Sequence, residues 1–129
     1  WLLDVAHNPA AAAELGAMLR AGGRPGKTIA ILGALADKEI EGIVGPLDEH
    51  IDMWIAVMAD SHRGLPAAEL SRRVANATGR PCLIAGSIDV AMAEARQEAA
   101  DGDRILVTGS FYIVGPVLRS LGLYSPPVT

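Results

Sequence analysis

Cysteine is nearly absent from this chain, since Cys82 is the only one among 129 residues. A single cysteine excludes an internal disulfide and a zinc site built from several cysteines. Runs of basic residues are also absent, and the formal net charge of −4 gives no electrostatic footprint for nucleic acid. No apolar run is long enough to span a membrane. These features predict a protein of the reducing cytoplasm that binds neither nucleic acid nor membrane.

Aromatic residues are scarce as well, although half of the residues are apolar. The core is therefore expected to be aliphatic and rich in alanine, which is typical of α/β domains with buried parallel strands. The length suits one domain that covers residues 1–129. The chain opens on Trp1 rather than Met, within an apolar run, so we expect it to be part of a longer protein.

Short apolar runs alternate with helical patterns along the whole chain. The runs that read as strands are the first few residues, Thr28–Leu32, Met53–Met58, Pro81–Ala85 and Arg104–Thr108. Helices are expected to begin near Asn8, Asp37, Pro66, Ser87 and Ser110. About five strand–helix units with short connections predict an α/β domain of three layers, with a mostly parallel sheet and helices on both faces.

Polar residues follow the ends of the predicted strands. Asp4 and His7 come after the first strand, Lys38 after the second and Ser110 after the fifth. In an open parallel sheet, ligands bind outside the carboxyl ends of the strands. Asn8 is placed to cap the first helix, whose N-terminus suits an anion. We therefore expect the chemistry of the domain at this edge.

One segment imitates a phosphate-binding P-loop. Residues 21–28 read Ala-Gly-Gly-Arg-Pro-Gly-Lys-Thr, with alanine in place of the first glycine. A P-loop follows a strand and opens a helix, because the helix N-terminus helps to hold the phosphates. This segment follows a predicted helix and enters a strand, so we interpret it as a plain turn.

Three segments together resemble a known family. They are Asp4–Pro9, Leu32–Ile40 and Val107–Val114, in this order and with matching spacing. The chain resembles the C-terminal domain of folylpolyglutamate synthase in its bacterial form that is bifunctional with dihydrofolate synthase, a branch of the Mur ligases. The resemblance implies a Rossmann-like domain that closes over an N-terminal ATPase domain, which this chain does not contain.

The resemblance also implies a reaction. ATP, with Mg²⁺, would phosphorylate a carboxylate of dihydropteroate or folate, and the amine of L-glutamate would then attack the acyl phosphate. The metal ligands are expected in the absent domain and none in this chain, so the isolated chain is expected to be inactive or nearly so. A monomer is expected.

Four residues acquire roles from this resemblance. Asp4 would accept hydrogen bonds from the ribose hydroxyls of ATP, and His7 would lie beside the phosphates and the incoming glutamate as a catalytic residue. Lys38 and Ser110 would bind glutamate. Structural roles compete with these: His7 could be hydrogen-bonded within its turn, Lys38 could be a solvated surface lysine, and Ser110 could be a helix cap.

Two other functions remain open at the level of sequence. One is a Mur ligase that extends a peptidoglycan precursor, and the other is a non-catalytic α/β nucleotide-binding module. The Gly109–Tyr112 segment favours the folate branch. Other chemistry-bearing residues are given plainer interpretations: Arg63 as a solvated loop residue, His50 as a surface residue and Cys82 as part of the core.

Overall fold

The computed structural model describes residues 1–22 and 26–122 as an alternation of strands and helices. The strands are β1 (Leu2–Asp4), β2 (Thr28–Leu32), β3 (Met53–Ala56), β4 (Cys82–Ile84) and β5 (Arg104–Thr108). The helices are α1 (Pro9–Ala21), α2 (Ile40–Asp48), α3 (Ala67–Thr78), α4 (Ile88–Glu98) and α5 (Phe111–Ser120). All strand pairs are parallel, in the order β1-β5-β2-β3-β4.

The sheet separates two hydrophobic cores. Helices α1, α2 and α3 bury their apolar sides against one face, and α4 and α5 bury theirs against the other. Helices α1, α2 and α3 connect the successive strands β1 to β4 across the first face. Helix α4 then leads back across the second face to β5, which lies between β1 and β2. The predicted α/β class, with three layers and a parallel sheet, is confirmed.

Helix α1 begins as the sequence predicts, but its buried stripe is shifted. The Asn8 side chain accepts a hydrogen bond from the Ala11 N–H at 2.8 Å, which caps the helix. The helical spacing of Ala11, Leu15, Met18 and Leu19 predicts that these residues form one apolar stripe towards the core, but Met18 is exposed. The helix instead turns Gly16 towards α2, where an added Cβ would lie 2.7 Å from the Pro46 carbonyl oxygen. This close helix contact sets the rotation of α1.

Helix α2 begins at Ile40 rather than at Asp37. Residues 35–38 form a turn instead, in which the Lys38 N–H donates to the Leu35 carbonyl at 3.2 Å. In the sequence, four apolar residues lie on one side of a helix that Gly42, Gly45 and Pro46 are expected to shorten. All four are buried, namely Ile40, Ile43, Val44 and Leu47. The helix is short, as expected, but it continues through Pro46.

Two residues have environments different from those predicted. His50 is buried rather than on the surface. It lies in the turn after α2, where its N–H donates to the Leu47 carbonyl at 2.9 Å, and its Nε2 lies 3.5 Å from Glu49 Oε1. Cys82 begins the edge strand β4 and is only half-buried, although that burial still raises the pKa of its thiol.

Other sequence expectations concern the turn after α1, the tail and a membrane span. Helix α1 ends at Ala21 and β2 begins at Thr28, the helix-to-strand context that argues against a P-loop. Residues 23–25 of that turn and the proline-containing tail at 125–127 lie outside the described residues. None of the helices in the described ranges is both long and apolar enough to cross a bilayer.

Candidate functional site

The strand order brings three distant segments together at the carboxyl edge of the sheet. Strand β5 lies between β1 and β2, so the residues that follow these three strands are neighbours. The helices that follow β1 and β2 pack on one face of the sheet, whereas α5, which follows β5, packs on the other. Neighbouring strands whose chains leave towards opposite faces form a switch point, which is where open α/β sheets bind ligands. The site is thus defined by the connectivity before any side chain is considered.

Close backbone packing shapes the floor of this edge. The Gly33 N–H donates to the Thr108 carbonyl at 3.3 Å. Gly109 has a φ of +112°, and a Cβ there would lie 2.3 Å from the Gly33 carbonyl oxygen. Only glycine fits both the positive φ and the close approach. The two glycines therefore let β2 and β5 end side by side.

A pocket of about 210 Å³ lies at this edge, with Gly109 in its lining. Three of the residues singled out from the sequence line it, namely His7, Lys38 and Ser110. The other lining residues are Val5, Leu35, Gly109, Phe111 and Tyr112. Val5 and Leu35 are not recognisable as site residues from the sequence, because their apolar side chains give no chemical signal.

The electrostatics of the pocket favour an anion. Its lining contains a lysine and a histidine and no carboxylate. The N-terminus of α5 also contributes to the lining, through Ser110, Phe111 and Tyr112, and a helix N-terminus carries partial positive charge. The pocket thus combines apolar walls with groups that attract negative charge.

His7 and Ser110 each make a local hydrogen bond. The His7 Nδ1 atom lies 3.3 Å from the Val5 carbonyl oxygen, and if Nδ1 carries the proton, Nε2 is the acceptor nitrogen of the ring. The Ser110 side chain is buried, and its Oγ accepts a hydrogen bond from the Tyr112 N–H at 3.0 Å. Ser110 is therefore a helix cap, and its O–H remains able to donate.

Phe111 and Tyr112 form exposed walls of the pocket. Their rings meet edge to face with centroids 6.5 Å apart. Asp4 does not line the pocket. It lies at the end of β1, in register with Thr108 of β5.

The loop after β3 lies apart from the pocket. Asp60, Ser61 and His62 help to line a second, shallower depression beside Ile88. Arg63 is exposed, as predicted for a solvated loop residue. Main-chain hydrogen bonds join the loop to segments that border the pocket: the Asp60 N–H donates to the Tyr112 carbonyl at 2.9 Å, and the Ala36 N–H donates to the Arg63 carbonyl at 2.8 Å.

The described residues contain no cluster of side chains that could bind a metal ion. Within residues 1–22 and 26–122, no group of three or more His, Cys, Asp or Glu side chains is arranged to hold an ion. The chemistry that these residues support is binding and orientation of an anionic ligand.

Comparison with curated proteins yields bifunctional folate enzymes. The chain is 35% identical over 118 residues to the dihydrofolate synthase/folylpolyglutamate synthase of Escherichia coli, covering 92% of this chain and 27% of that protein. It is 34% identical over 116 residues to the Haemophilus influenzae protein of the same name, covering 88% and 26%. The chain thus spans about a quarter of the length of these relatives.

Solved structures give the same result. The Escherichia coli FolC complex with ADP superposes with a TM-score of 0.82 at 32% identity, covering 92% of this chain and 28% of that chain. The Yersinia pestis bifunctional enzyme with AMPPNP and Mn gives a TM-score of 0.82 at 34% identity, covering 94% and 28%.

A family model, described as the glutamate ligase domain of Mur ligases, matches residues 1–111. This match spans most of the chain and agrees with the fold, the switch-point pocket and the relatives. The chain therefore belongs to the Mur ligase family of glutamate ligase domains.

Proposed function

We propose that this chain is the glutamate ligase domain of an ATP-dependent enzyme that joins L-glutamate to dihydropteroate, to folates or to both. Its family and the names of its relatives support this proposal. The single observation that carries it is the pocket that gathers His7, Lys38 and Ser110 from three distant segments. A structure of a bifunctional folate enzyme at 34% identity, with a TM-score of 0.81 and covering 94% of this chain and 29% of that one, contains Mn, AMPPNP and L-glutamate.

The complete enzyme is proposed to contain an N-terminal ATPase domain, with residues 1–129 as its C-terminal domain. Relatives nearly four times as long as the matched segment support this arrangement. The P-loop and the ligands for Mg²⁺ are assigned to the ATPase domain, and no residue of this chain is proposed as a metal ligand. The proposed enzyme acts as a monomer in the cytoplasm.

The proposed reaction has two steps. An oxygen of the substrate carboxylate attacks the γ-phosphorus of ATP, which forms an acyl phosphate and releases ADP. The amine of glutamate then attacks the acyl carbon, the carbon–oxygen bond to phosphate breaks, and an amide and phosphate are formed. A divalent metal supplies charge stabilisation during phosphoryl transfer. The contribution of this domain is to hold both reactants in position.

Each proposed residue has a chemical task at the carboxyl edge. The Asp4 carboxylate accepts hydrogen bonds from the ribose hydroxyls of ATP. His7 orients an oxygen of the acyl phosphate or of glutamate. The ammonium of Lys38 pairs with a glutamate carboxylate, and the Ser110 O–H donates to one of its oxygens. The location of His7, Lys38 and Ser110 around one cationic pocket supports these assignments.

The test is a ligase assay on the full-length protein. We expect ADP release that requires both glutamate and either dihydropteroate or tetrahydrofolate, with the amide product identified by mass spectrometry. A protein that is active only with a peptidoglycan precursor would be a different Mur ligase. A protein that binds nucleotide without any glutamate-dependent turnover would be a non-catalytic module. Either result would refute the proposal.

The residue roles are tested in the same assay. Lys38→Ala and Ser110→Ala are expected to raise the KM for glutamate, and Asp4→Ala the KM for ATP. Lys27→Ala is the matched control, because this exposed side chain lies at the opposite edge of the sheet and only its main-chain N–H bonds Asp103. An unchanged glutamate KM in both site variants would remove Lys38 and Ser110 from the glutamate site.

A further inference from the structure

Thr108 carries a buried polar group that has no hydrogen-bond partner in the part of the chain that the structure describes. Its side chain is fully buried, and its Oγ1 makes no hydrogen bond to any residue in the described ranges. Buried polar groups are destabilising when unpaired, so nearly all of them are hydrogen-bonded. An unpaired hydroxyl at the last residue of β5, directly before Gly109 and Ser110, therefore needs an explanation.

The strand register shows which polar group Thr108 can reach. Thr108 pairs with Asp4 on β1 and with Leu32 on β2. Side chains alternate between the faces of a strand. Leu2 and Leu106, the registered pair two residues earlier, both belong to the core under α1 and α2. Asp4 and Thr108 therefore lie on that same face.

Asp4 is the polar neighbour across the sheet. Adjacent strands lie about 4.8 Å apart, so side chains in register can reach a hydrogen bond by rotation about χ1. The neighbour on the other side, Leu32, is apolar and offers no acceptor. No residue in the described part of the chain makes a hydrogen bond or ion pair with the Asp4 carboxylate. Two unpaired polar groups thus lie side by side.

We propose that Thr108 is a positioning residue for Asp4. When nucleotide binds, the Thr108 hydroxyl donates to one carboxylate oxygen of Asp4, and the other oxygen is held towards the ribose hydroxyls. Thr108 does not contact the nucleotide, because it is fully buried. The inference rests on the proposed function, since it takes Asp4 as the residue that contacts ATP.

The test compares Thr108→Val, Thr108→Ser and Asp4→Asn in the full-length protein. Valine keeps the shape of threonine and removes the hydroxyl, whereas serine keeps the hydroxyl. Titration calorimetry with a non-hydrolysable ATP analogue gives the Kd, and urea unfolding without nucleotide gives the stability. We expect Thr108→Val to raise the Kd roughly tenfold, as for a lost hydrogen bond to a charged group, without lowering the urea midpoint. Thr108→Ser is expected to restore most of the affinity.

The double variant Thr108→Val with Asp4→Asn distinguishes positioning from an independent effect. If Thr108 acts through Asp4, the double variant binds no more weakly than Asp4→Asn alone. A Thr108→Val protein with the wild-type Kd would overturn the inference, and so would one whose urea midpoint falls, since the hydroxyl would then have a structural partner. If the wild type does not bind the ATP analogue, or if Asp4→Asn binds it with the wild-type Kd, the proposed role of Asp4 in nucleotide binding fails. That result is distinct from a failure of the role proposed for Thr108.

Discussion

The glycine at the end of β5 is the position where the structure predicts the largest effect of one added methyl group. At Gly109, a side chain would have to adopt a φ of +112°, and its Cβ would lie 2.3 Å from the Gly33 carbonyl oxygen and 2.8 Å from a methyl group of Leu32. The first of these atoms belongs to the backbone of β2's extension and cannot rotate away. Gly109→Ala must therefore move one strand end relative to the other.

The magnitude follows from two separate contributions. Backbone strain at a sparsely populated φ is worth about 2 kcal/mol, and overpacking by a methyl group against rigid neighbours is worth about 2 kcal/mol more. A loss of about 4 kcal/mol is a large part of the 5–15 kcal/mol that stabilises a typical domain. With an m-value of about 2 kcal/mol per molar, the urea midpoint should fall by about 2 M.

Two other glycines separate these contributions. Gly79 has a φ of +71° but nothing within 4 Å of an added Cβ, so Gly79→Ala has the strain without the clash and should lose about 1 kcal/mol. Gly86 has neither a positive φ nor an atom within 4 Å of an added Cβ. Gly86→Ala should therefore leave the free energy of unfolding unchanged or raise it by about 0.5 kcal/mol, because alanine lowers the conformational entropy of the unfolded chain. If Gly109→Ala unfolds at the same urea concentration as Gly79→Ala, the close approach of β2 and β5 is wrong.

Two further substitutions weaken hydrogen bonds that a side chain accepts from main-chain N–H groups. Ser87 caps α4 by accepting the Val90 N–H at 3.1 Å, so Ser87→Ala should lose about 1 kcal/mol in thermal unfolding, whereas Ser87→Asn, which can still cap, should lose little. The backbone N–H groups of Ala100 and Lys27 lower the pKa of Asp103 below its ordinary 3.8. The ionised carboxylate therefore stabilises the folded state fully above pH 3.8, and this contribution is lost as the pH falls through the lower pKa of the folded state. The difference in urea midpoint between wild type and Asp103→Asn should therefore shrink from neutral to strongly acidic pH, and a constant difference would contradict this account.

The parts of the fold that the sequence predicts correctly are those with local causes. Helix α1 begins where Asn8 can cap it, and α3 ends at Gly79, which supplies a positive φ. Strand β2 is a compact aliphatic run whose five residues are all buried, as expected for the interior of a parallel sheet. Caps, breakers and buried runs depend only on neighbours along the chain, so the sequence is sufficient to place them.

The parts that the sequence misplaces depend on distant contacts. Met18 fits an apolar stripe on α1, but the contact of Gly16 with Pro46 rotates that helix, and this contact links residues thirty positions apart. His50 is polar and follows a helix, which suggests a surface position, yet it is buried. The strand order is likewise set by packing of the two helix layers, and no local pattern reveals that β5 lies between β1 and β2.

The candidate site depends on this non-local part of the fold. Sequence alone can select Asp4, His7, Lys38 and Ser110 as polar residues after strands, but only the insertion of β5 makes Ser110 a neighbour of His7. The same insertion creates the unusual local arrangement at 108–109, where a buried hydroxyl with no hydrogen-bond partner in residues 1–22 and 26–122 is followed by a glycine with positive φ. Sequences normally agree with their fold at every level, and departures are expected where function requires them. A buried hydroxyl that has no hydrogen-bond partner among the described residues and a glycine that admits no side chain stand next to each other at a topological switch point. Their adjacency is therefore an argument, independent of any relative, that the end of β5 is part of the binding site.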